Sequence, residues 1–435
     1  MQLQEIRSYD VVVCGCGVAG FCAAVAAGRA GARVALVERQ GMPGGILTVG
    51  GNNDVALFFA HKQVVIRGIG WAFCEELARR GDAVFPDWRN ETRHPALGVK
   101  VNPLAAAVLM DEWLLEAGAA LYYNQPVVDV EWHEQQTRRV LDQVVVASKN
   151  GLIGLEAKVF IDATGDGDLC AFAGAEIECG DPETGALMPG TLRYYQQSTA
   201  LTAEQRRWVE RSFAAARADG RLQRRDLWSE DNGGTPLTFY DAQGDNVGHV
   251  MDYNPADSDS LTQAEVRGRQ SVYRVARWIR ENGLGGEIIT AAPHVASRES
   301  RRVVCDARIT GEDYVSGKRF DDAVCYSFYP IDLHRADGNG LYNIFLAEGV
   351  VPTLPLSMLI PRRLQNVLVA GRCAGGDRLA QSAYRVKASC MAMGQAAGTA
   401  AAVAVGQGAA DVRQAAFAEI VRRLRADGAI VPQDM

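Results

Sequence analysis

No run of the 435 residues approaches the ~18 consecutive apolar positions of a membrane span, which excludes a hydrophobic anchor as an expectation from sequence. A basic excess is missing too. The net charge of −7 and the pI near 5.5 argue against a general nucleic-acid or anionic-membrane binder. There is no Cys-x-x-Cys among the ten cysteines, and the one close pair, Cys14 and Cys16, fits neither a metal knuckle nor a redox motif. These thiols read as small core residues kept reduced, with no metal site. Internal repeats, low-complexity linkers and a charged-then-apolar leader are likewise absent, so the expected location is cytoplasmic. What remains is ordinary globular composition, 48% hydrophobic and 22% charged, in a chain long enough for two domains.

The strongest positive signal lies between Tyr9 and Arg39. Val11 to Cys14 is a short apolar run of the buried-strand kind, and Gly15, Gly17 and Gly20 follow at the spacing of a strand-to-helix dinucleotide turn. The first glycine permits the tight turn, the second lets backbone approach a pyrophosphate, and the third lets the helix pack on the strand. Val18 and Ala19 open that helix, whose first N–H groups face phosphates in such sites. Ala19 to Ala30 is small and helix-favouring, Gly31 ends it, and Arg33 to Val37 is a second buried strand. Glu38 closes that strand twenty-three residues after Gly15, where an acid accepts from free ribose hydroxyls and repels a 2′-phosphate. A dinucleotide other than NADP is therefore expected, with Arg39 beside it.

Further along, Gly44, Gly45 and Ile46 lie in a loop too glycine-rich for helix or strand, suited to passing close to a flat ligand. Residues 53–101 read as an irregular excursion containing a helix over 69–80. Asn102-Pro103 opens a helix to Ala117, and 121–132 reads as a strand carrying Val127 or Val128 toward an adenine. Two alternating segments, 140–147 and 152–158, form a meander turning at Asn150-Gly151. A second apolar strand then runs into Ala163-Thr164-Gly165, repeating the geometry of the first turn. The composition changes over 180–355, with amphipathic helices such as 261–283, where Thr262 and Glu265 read as a capping box. A third strand ends at Gly371 and precedes an alanine-rich helix over 387–405. Its Gly394 and Gly398 imply close approach, either to a ligand or to another element of the core. The domain reading is 1–180, an inserted substrate domain 181–355, and a return with a helical tail over 356–435.

In this order the blocks resemble the FAD-dependent oxidoreductases of the glutathione-reductase superfamily, and more narrowly the bacterial FAD-dependent oxidoreductase family distantly related to fumarate reductase flavoproteins. Arg298-Glu-Ser-Arg-Arg302, Pro330-Ile-Asp-Leu-His334, Leu359-Ile-Pro361, Val369-Ala-Gly-Arg372 and Met393-Gly-Gln-Ala-Ala-Gly398 carry the likeness. It implies an α/β fold: an FAD-binding Rossmann-like parallel sheet with a β-meander and an inserted α+β substrate domain. It also implies that Gly15 to Gly20 and Glu38 hold the ADP half of FAD, with Gly44 and Gly45 near the pyrophosphate and flavin. Gly371 and Arg372 would approach the pyrophosphate or ribityl chain, with Asp377 as a further ribityl ligand. Gly394, Ala397 and Gly398 would set a helix end beside the isoalloxazine. No histidine lies in the Gly44 to Gly51 loop, so the resemblance implies non-covalent flavin.

Hydride exchange with a flavin needs a positioned C–H bond and a group that moves a proton. His334 is the first choice for that group, set against an ordinary core or surface histidine, and His61 is the second. Arg298 and Arg301 would clamp a carboxylate or polarise a carbonyl, unless they form a solvated face. The expected activity is dehydrogenase or reductase chemistry on a small organic substrate, with a homodimer as the assembly by analogy. A flavin monooxygenase, a non-catalytic redox-sensing flavoprotein and a sulfur-transferring thiazole synthase are the alternatives. The last would need a reactive cysteine such as Cys179 or Cys373. No second full glycine fingerprint exists for NAD(P)H, leaving open a transient nicotinamide, oxygen, a quinone or another protein as the electron partner.

Overall fold

The computed structural model describes residues 3–91, 94–197, 199–223, 226, 237, 240–241, 246–336 and 340–432. Its centre is a seven-stranded sheet. Strands β1 (Glu5–Cys14), β2 (Val34–Glu38) and β3 (Ala120–Tyr123) run parallel, in the order β3-β2-β1. Val11 to Cys14 and Val34 to Glu38 are buried throughout, as near-continuous apolar runs in a parallel sheet should be. Strand β4 (Val127–Gln135) and strand β5 (Arg138–Ser148) form the antiparallel meander.

Two expectations about this sheet are corrected. The stretch 121–132 is two strands, because Asn124 is left-handed at φ 57° and Pro126 has no N–H to offer a ladder. The intervening amides of Asn124 and Gln125 donate instead to the carbonyls of Gln40 and Glu38, at 3.0 and 3.1 Å. Conversely, the second meander strand and the strand before Ala163 are one twelve-residue element, β6 (Gly151–Asp162). One edge of β6 is shared. Gly151 to Glu156 pairs antiparallel with β5, and Phe160 to Asp162 pairs parallel with β7 (Val367–Val369). The sheet switches partner there, so β1, β6 and β7 end on the same side.

Helix α1 (Val18–Arg29) follows β1 directly, and Gly31 at φ 91° takes the left-handed conformation past its end. Helix α2 (Ile69–Arg79) lies where the periodicity placed it. Helix α3 (Pro103–Glu116) is capped by Asn102, whose Oδ1 accepts from the amides of Leu104 and Ala105 at 3.0 and 3.3 Å. Helix α4 (Ser258–Glu281) starts earlier than the capping-box reading put it. Asp257 is its cap, accepting from Ser260 N at 2.8 Å, and Thr262 and Glu265 lie within it. Helix α5 (Arg378–Tyr384) and helix α6 (Lys387–Gln407) follow β7.

Helix α6 is long and apolar enough by length and composition to cross a membrane, contrary to the expectation from sequence, and 94% of its most apolar window is buried in the protein. It packs lengthwise on α1. Residues 303–364 contribute to the same core as the central sheet, whereas Tyr194, Phe213, Trp278 and their neighbours form a cluster of their own. The ten cysteines form no disulfide, and only Cys179 is exposed.

Candidate active site

A single cavity of about 650 Å³ begins at the carboxyl ends of the parallel strands and extends to the segment around Arg298 and His334. Ligands bind at this edge of open α/β sheets, where strand order reverses and helix N-termini converge. Gly15, Gly17, Val18, Ala19, Glu38 and Arg39 line one end. Gly15 sits at φ 93°, and a Cβ there would lie 2.5 Å from the Ala163 carbonyl oxygen. On Gly20 a Cβ would come within 1.8 Å of the Gly15 oxygen, so this glycine serves helix packing and does not line the cavity. Gly17 differs from both. A Cβ on it would meet no protein atom within 4 Å, and no side chain caps the α1 N-terminus it begins. The space it leaves belongs to the cavity, beside the unpaired N–H groups of the first helical turn.

Glu38 is buried, with Oε2 accepting from Cys16 N at 2.7 Å and Oε1 from Gln40 N at 2.8 Å. Burial pushes its carboxyl up, and the two amides pull it back. Gly44, Gly45 and Ile46 line the middle of the cavity, with Gly44 N donating to Cys16 O at 2.7 Å. Ala163, Thr164 and Gly165 line the opposite side together with Gly371 and Arg372. Arg372 is held by Asp166, Nη2 to Oδ1 at 2.6 Å, and by Ser300 Oγ at 3.2 Å. Although burial works to raise the Asp166 carboxyl, the guanidiniums of Arg372 and Arg39 hold it below the usual carboxylate range.

Several expected residues lie elsewhere. Val127 does not line the cavity; it follows the loop hydrogen-bonded to Glu38 and Gln40. Asp377 caps α5, accepting from Ala380 N at 2.8 Å and from Gly311 N at 2.9 Å, so neither oxygen faces the cavity as a ribityl ligand. Gly394, Ala397 and Gly398 are in the interior of α6, away from the cavity. A Cβ on Gly394 would lie 2.1 Å from Ala19 O, and one on Gly398 2.1 Å from Ala23 O. The small-residue spacing is therefore a helix crossing. It is the first turn of α6, at Val386, Lys387 and Cys390, that reaches the cavity.

His61 is also off the cavity. It occupies the tip of a hairpin between Phe59–Ala60 and Gln63–Val64, where His61 and Lys62 both have positive φ as a two-residue turn requires. Its Nε2 lies 3.0 Å from Val350 O. Arg301 is spent internally, on Asp168 Oδ1 at 2.7 Å, Asp166 O at 3.3 Å and Ala256 O at 3.0 Å.

The remaining two predicted residues meet at the far end. Arg298 and His334 both line the cavity and are both buried. Arg298 donates to Pro189 O at 2.8 Å, to Asn246 Oδ1, and to His249 Nε2 at 3.2 Å. His334 Nε2 lies 3.4 Å from Asp332 Oδ2, and its ring stands edge-on to His249 at 5.3 Å. Burial first, and Arg298 second, lower the His334 imidazole to about 4, so it is neutral at pH 7. Asp332 and Arg385 join this group, and Lys387 lines the cavity while donating to Asn52 Oδ1 at 3.1 Å and Asp54 O at 2.8 Å. Asp332 was readable, since residues two apart on a strand share a face and His334 was already singled out. Arg385 and Lys387 gave a weaker hint, as basic residues opening an otherwise apolar helix. Arg193, which bonds Asn53 Oδ1 at 2.7 Å, had no local signal.

A pH dependence follows from His334. The unfolded chain takes up its proton near pH 6.5 and the folded protein only near 4, so stability falls as pH drops across that window and levels off below it. The expected loss is of order 3 kcal/mol for this one group. Thermal melts from pH 7 to 4 should show the decline, and His334→Gln should reduce it, with His249 and His294, which burial also lowers, supplying the remainder.

The geometry fits FAD on its own terms: an uncapped helix start with an open Cβ position, a buried acid closing the second strand, and Arg39 beside that acid turned toward Asp166 at 3.8 Å. This defines a dinucleotide-binding protein of the doubly wound α/β class. The sequence profile of the family described as FAD dependent oxidoreductase matches residues 10–424, and the chain belongs to that family. FAD is its cofactor.

No curated protein sequence matches the chain. Among solved structures, THI4 of Thermovibrio ammonificans is similar at 20% identity and TM-score 0.29, over 39% of this chain and 64% of that one. OxyS anhydrotetracycline hydroxylase from Streptomyces rimosus gives 20% and 0.28, over 44% and 38%. A geranylgeranyl bacteriochlorophyll reductase-like protein from Thermoplasma acidophilum gives 11% and 0.40, over 97% and 83%. The chain thus covers less than two thirds of the first two.

Proposed function

We propose that the enzyme transfers a hydride between a small organic anion and non-covalently held FAD, with the inserted segment 181–355 supplying the substrate end of the cavity. The observation that carries this reading is the continuity of one cavity from Gly17 and Glu38 to Arg298 and His334. FAD, when bound, supplies a two-electron acceptor or donor for hydride. Gly17, Glu38, Gly44, Gly45 and Gly371 would hold it along the strand ends. His334 is neutral and oriented by Asp332 at Nε2, and Nδ1 makes no hydrogen bond among the described residues. Nδ1 is the atom that would take the proton from a substrate hydroxyl or amine as its C–H hydride leaves, or return it in the reverse direction.

The test is an anaerobic absorbance titration of the purified holoenzyme with panels of hydroxy acids, amino acids and NAD(P)H. Bleaching by one organic donor supports the reading, and His334→Gln should then slow reduction by roughly 10²–10⁴-fold without loss of flavin. Protein that neither carries nor takes up FAD would end it. Oxygen consumption driven by NAD(P)H, with a hydroxylated product, would make the enzyme a monooxygenase instead.

A further inference from the structure

Charge is not balanced at the far end of the cavity. Arg298 is buried, yet all its hydrogen bonds go to neutral partners: the Pro189 carbonyl, the Asn246 side chain and His249. No carboxylate lies within 4 Å of its guanidinium among the described residues. Arg385 is nearly as enclosed, its side chain 13% exposed. It spends Nη2 on the Asp332 carbonyl at 3.2 Å, near that residue's Oδ2 at 3.5 Å. Its Nε is buried without a partner, and Nη1 makes no hydrogen bond among the described residues.

Asp332 is, among the described residues, the one acid within 4 Å of either guanidinium, and His334 shares it at 3.4 Å. With His334 neutral, the two guanidiniums face this one carboxylate, and Lys387 adds a further cation to the cavity lining, so positive charge is in excess among these described groups. The Arg298 guanidinium is itself pushed down to about 10, by burial and then by Arg385. A buried unpaired charge is costly, and structures keep one where a ligand supplies the counter-charge. The planar fork of arginine matches a carboxylate through two parallel N–H donors.

We propose that Arg385 and Arg298 form the carboxylate-recognition subsite of the substrate cavity, so that the substrate is a small carboxylic acid carrying its reactive C–H bond beside His334. This rests on the redox reading of the same cavity for the word substrate, while the binding claim can be measured apart from it.

Flavin content is read first, by absorbance of the purified protein. Isothermal calorimetry on the same preparation then compares lactate, glycolate and succinate with lactamide, glycolamide, succinamide and inorganic phosphate. A carboxylate should bind at least ~10-fold tighter than its amide, since an amide leaves the buried charge unpaired. Arg385→Gln should weaken carboxylate binding by about 30-fold and amide binding by no more than a few-fold. Should the glutamine variant fold poorly, Arg385→Lys keeps the charge, removes the fork, and is expected to cost roughly 10-fold. Equal affinity for acids and amides, tighter binding of phosphate, absence of any carboxylate binding, or an Arg385→Gln protein with unaltered affinity would each overturn the subsite. Absence of flavin would overturn the redox reading instead, and the calorimetric comparison still decides the subsite.

Discussion

Gly17→Val is expected to abolish FAD retention while leaving the fold as stable as the flavin-free wild type. The backbone at Gly17 has φ −68° and ψ −179°, an extended conformation that any residue adopts, so no strain opposes the side chain. A Cβ there meets no protein atom within 4 Å, so the first side-chain atom enters without a clash. The only thing a valine would displace is what enters the cavity at the start of α1. Close approach of a pyrophosphate to this backbone is incompatible with an isopropyl group, and loss of the helix-terminal N–H contacts should raise the FAD Kd by at least ~100-fold, about 2.7 kcal/mol. Flavin absorbance per protein after desalting reads the effect. Melting temperature must be compared with apo wild type, since bound cofactor itself stabilises the folded state. A variant that keeps stoichiometric FAD would show that the cavity end at Gly17 does not receive the nucleotide.

Gly398→Val, by contrast, should fail as a fold and not as a binding site, and Gly394→Val should do the same. A Cβ at either position would sit 2.1 Å from a main-chain oxygen of α1, Ala23 O or Ala19 O. Backbone cannot rotate away as a side chain can, so α1 and α6 must separate along their shared length. That opens the contact between two helices buried in the central core. Overpacking of a core costs ~1–3 kcal/mol when side chains can yield, and a backbone clash belongs to the exceptional class above ~4 kcal/mol. Against a total stability of ~5–15 kcal/mol, either valine should lower soluble yield and melting temperature strongly, and the pair should prevent folding. The informative comparison is with FAD: soluble variant protein should retain its affinity. Normal melting with weakened FAD would restore these glycines to the cofactor site.

The contrast between Gly17 and Gly394 shows where local pattern stops being informative. Both are glycines with small neighbours four or fewer positions away, in blocks associated with flavin binding. Around Gly17 the sequence carries the flanking evidence, because a buried strand, three spaced glycines, a small-residue helix and a closing acid are all contiguous. Around Gly394 it carries only the need for close approach. Whether the approaching group is a cofactor or another backbone depends on α1, nearly four hundred residues earlier in the chain. The same limit explains Asp377, whose acid is consumed by capping α5, and Arg301, whose guanidinium is absorbed by Asp168 and two carbonyls. His61 is carried to a hairpin tip by two positive-φ residues that its sequence does not mark as a turn.

From the sequence alone came the first two parallel strands, the α1 turn, the capped α3 and a dinucleotide site, since each depends on residues close in the chain and on periodicity that survives without context. The tertiary structure alone decided which charges remain for a ligand. Arg298 and Arg301 are three residues apart and chemically identical, yet one is surrounded by neutral acceptors at the cavity and the other is neutralised behind it. The identity of a side chain is written locally. Its charge balance is set by partners brought from far along the chain, and in a buried cavity that balance determines what the site can bind.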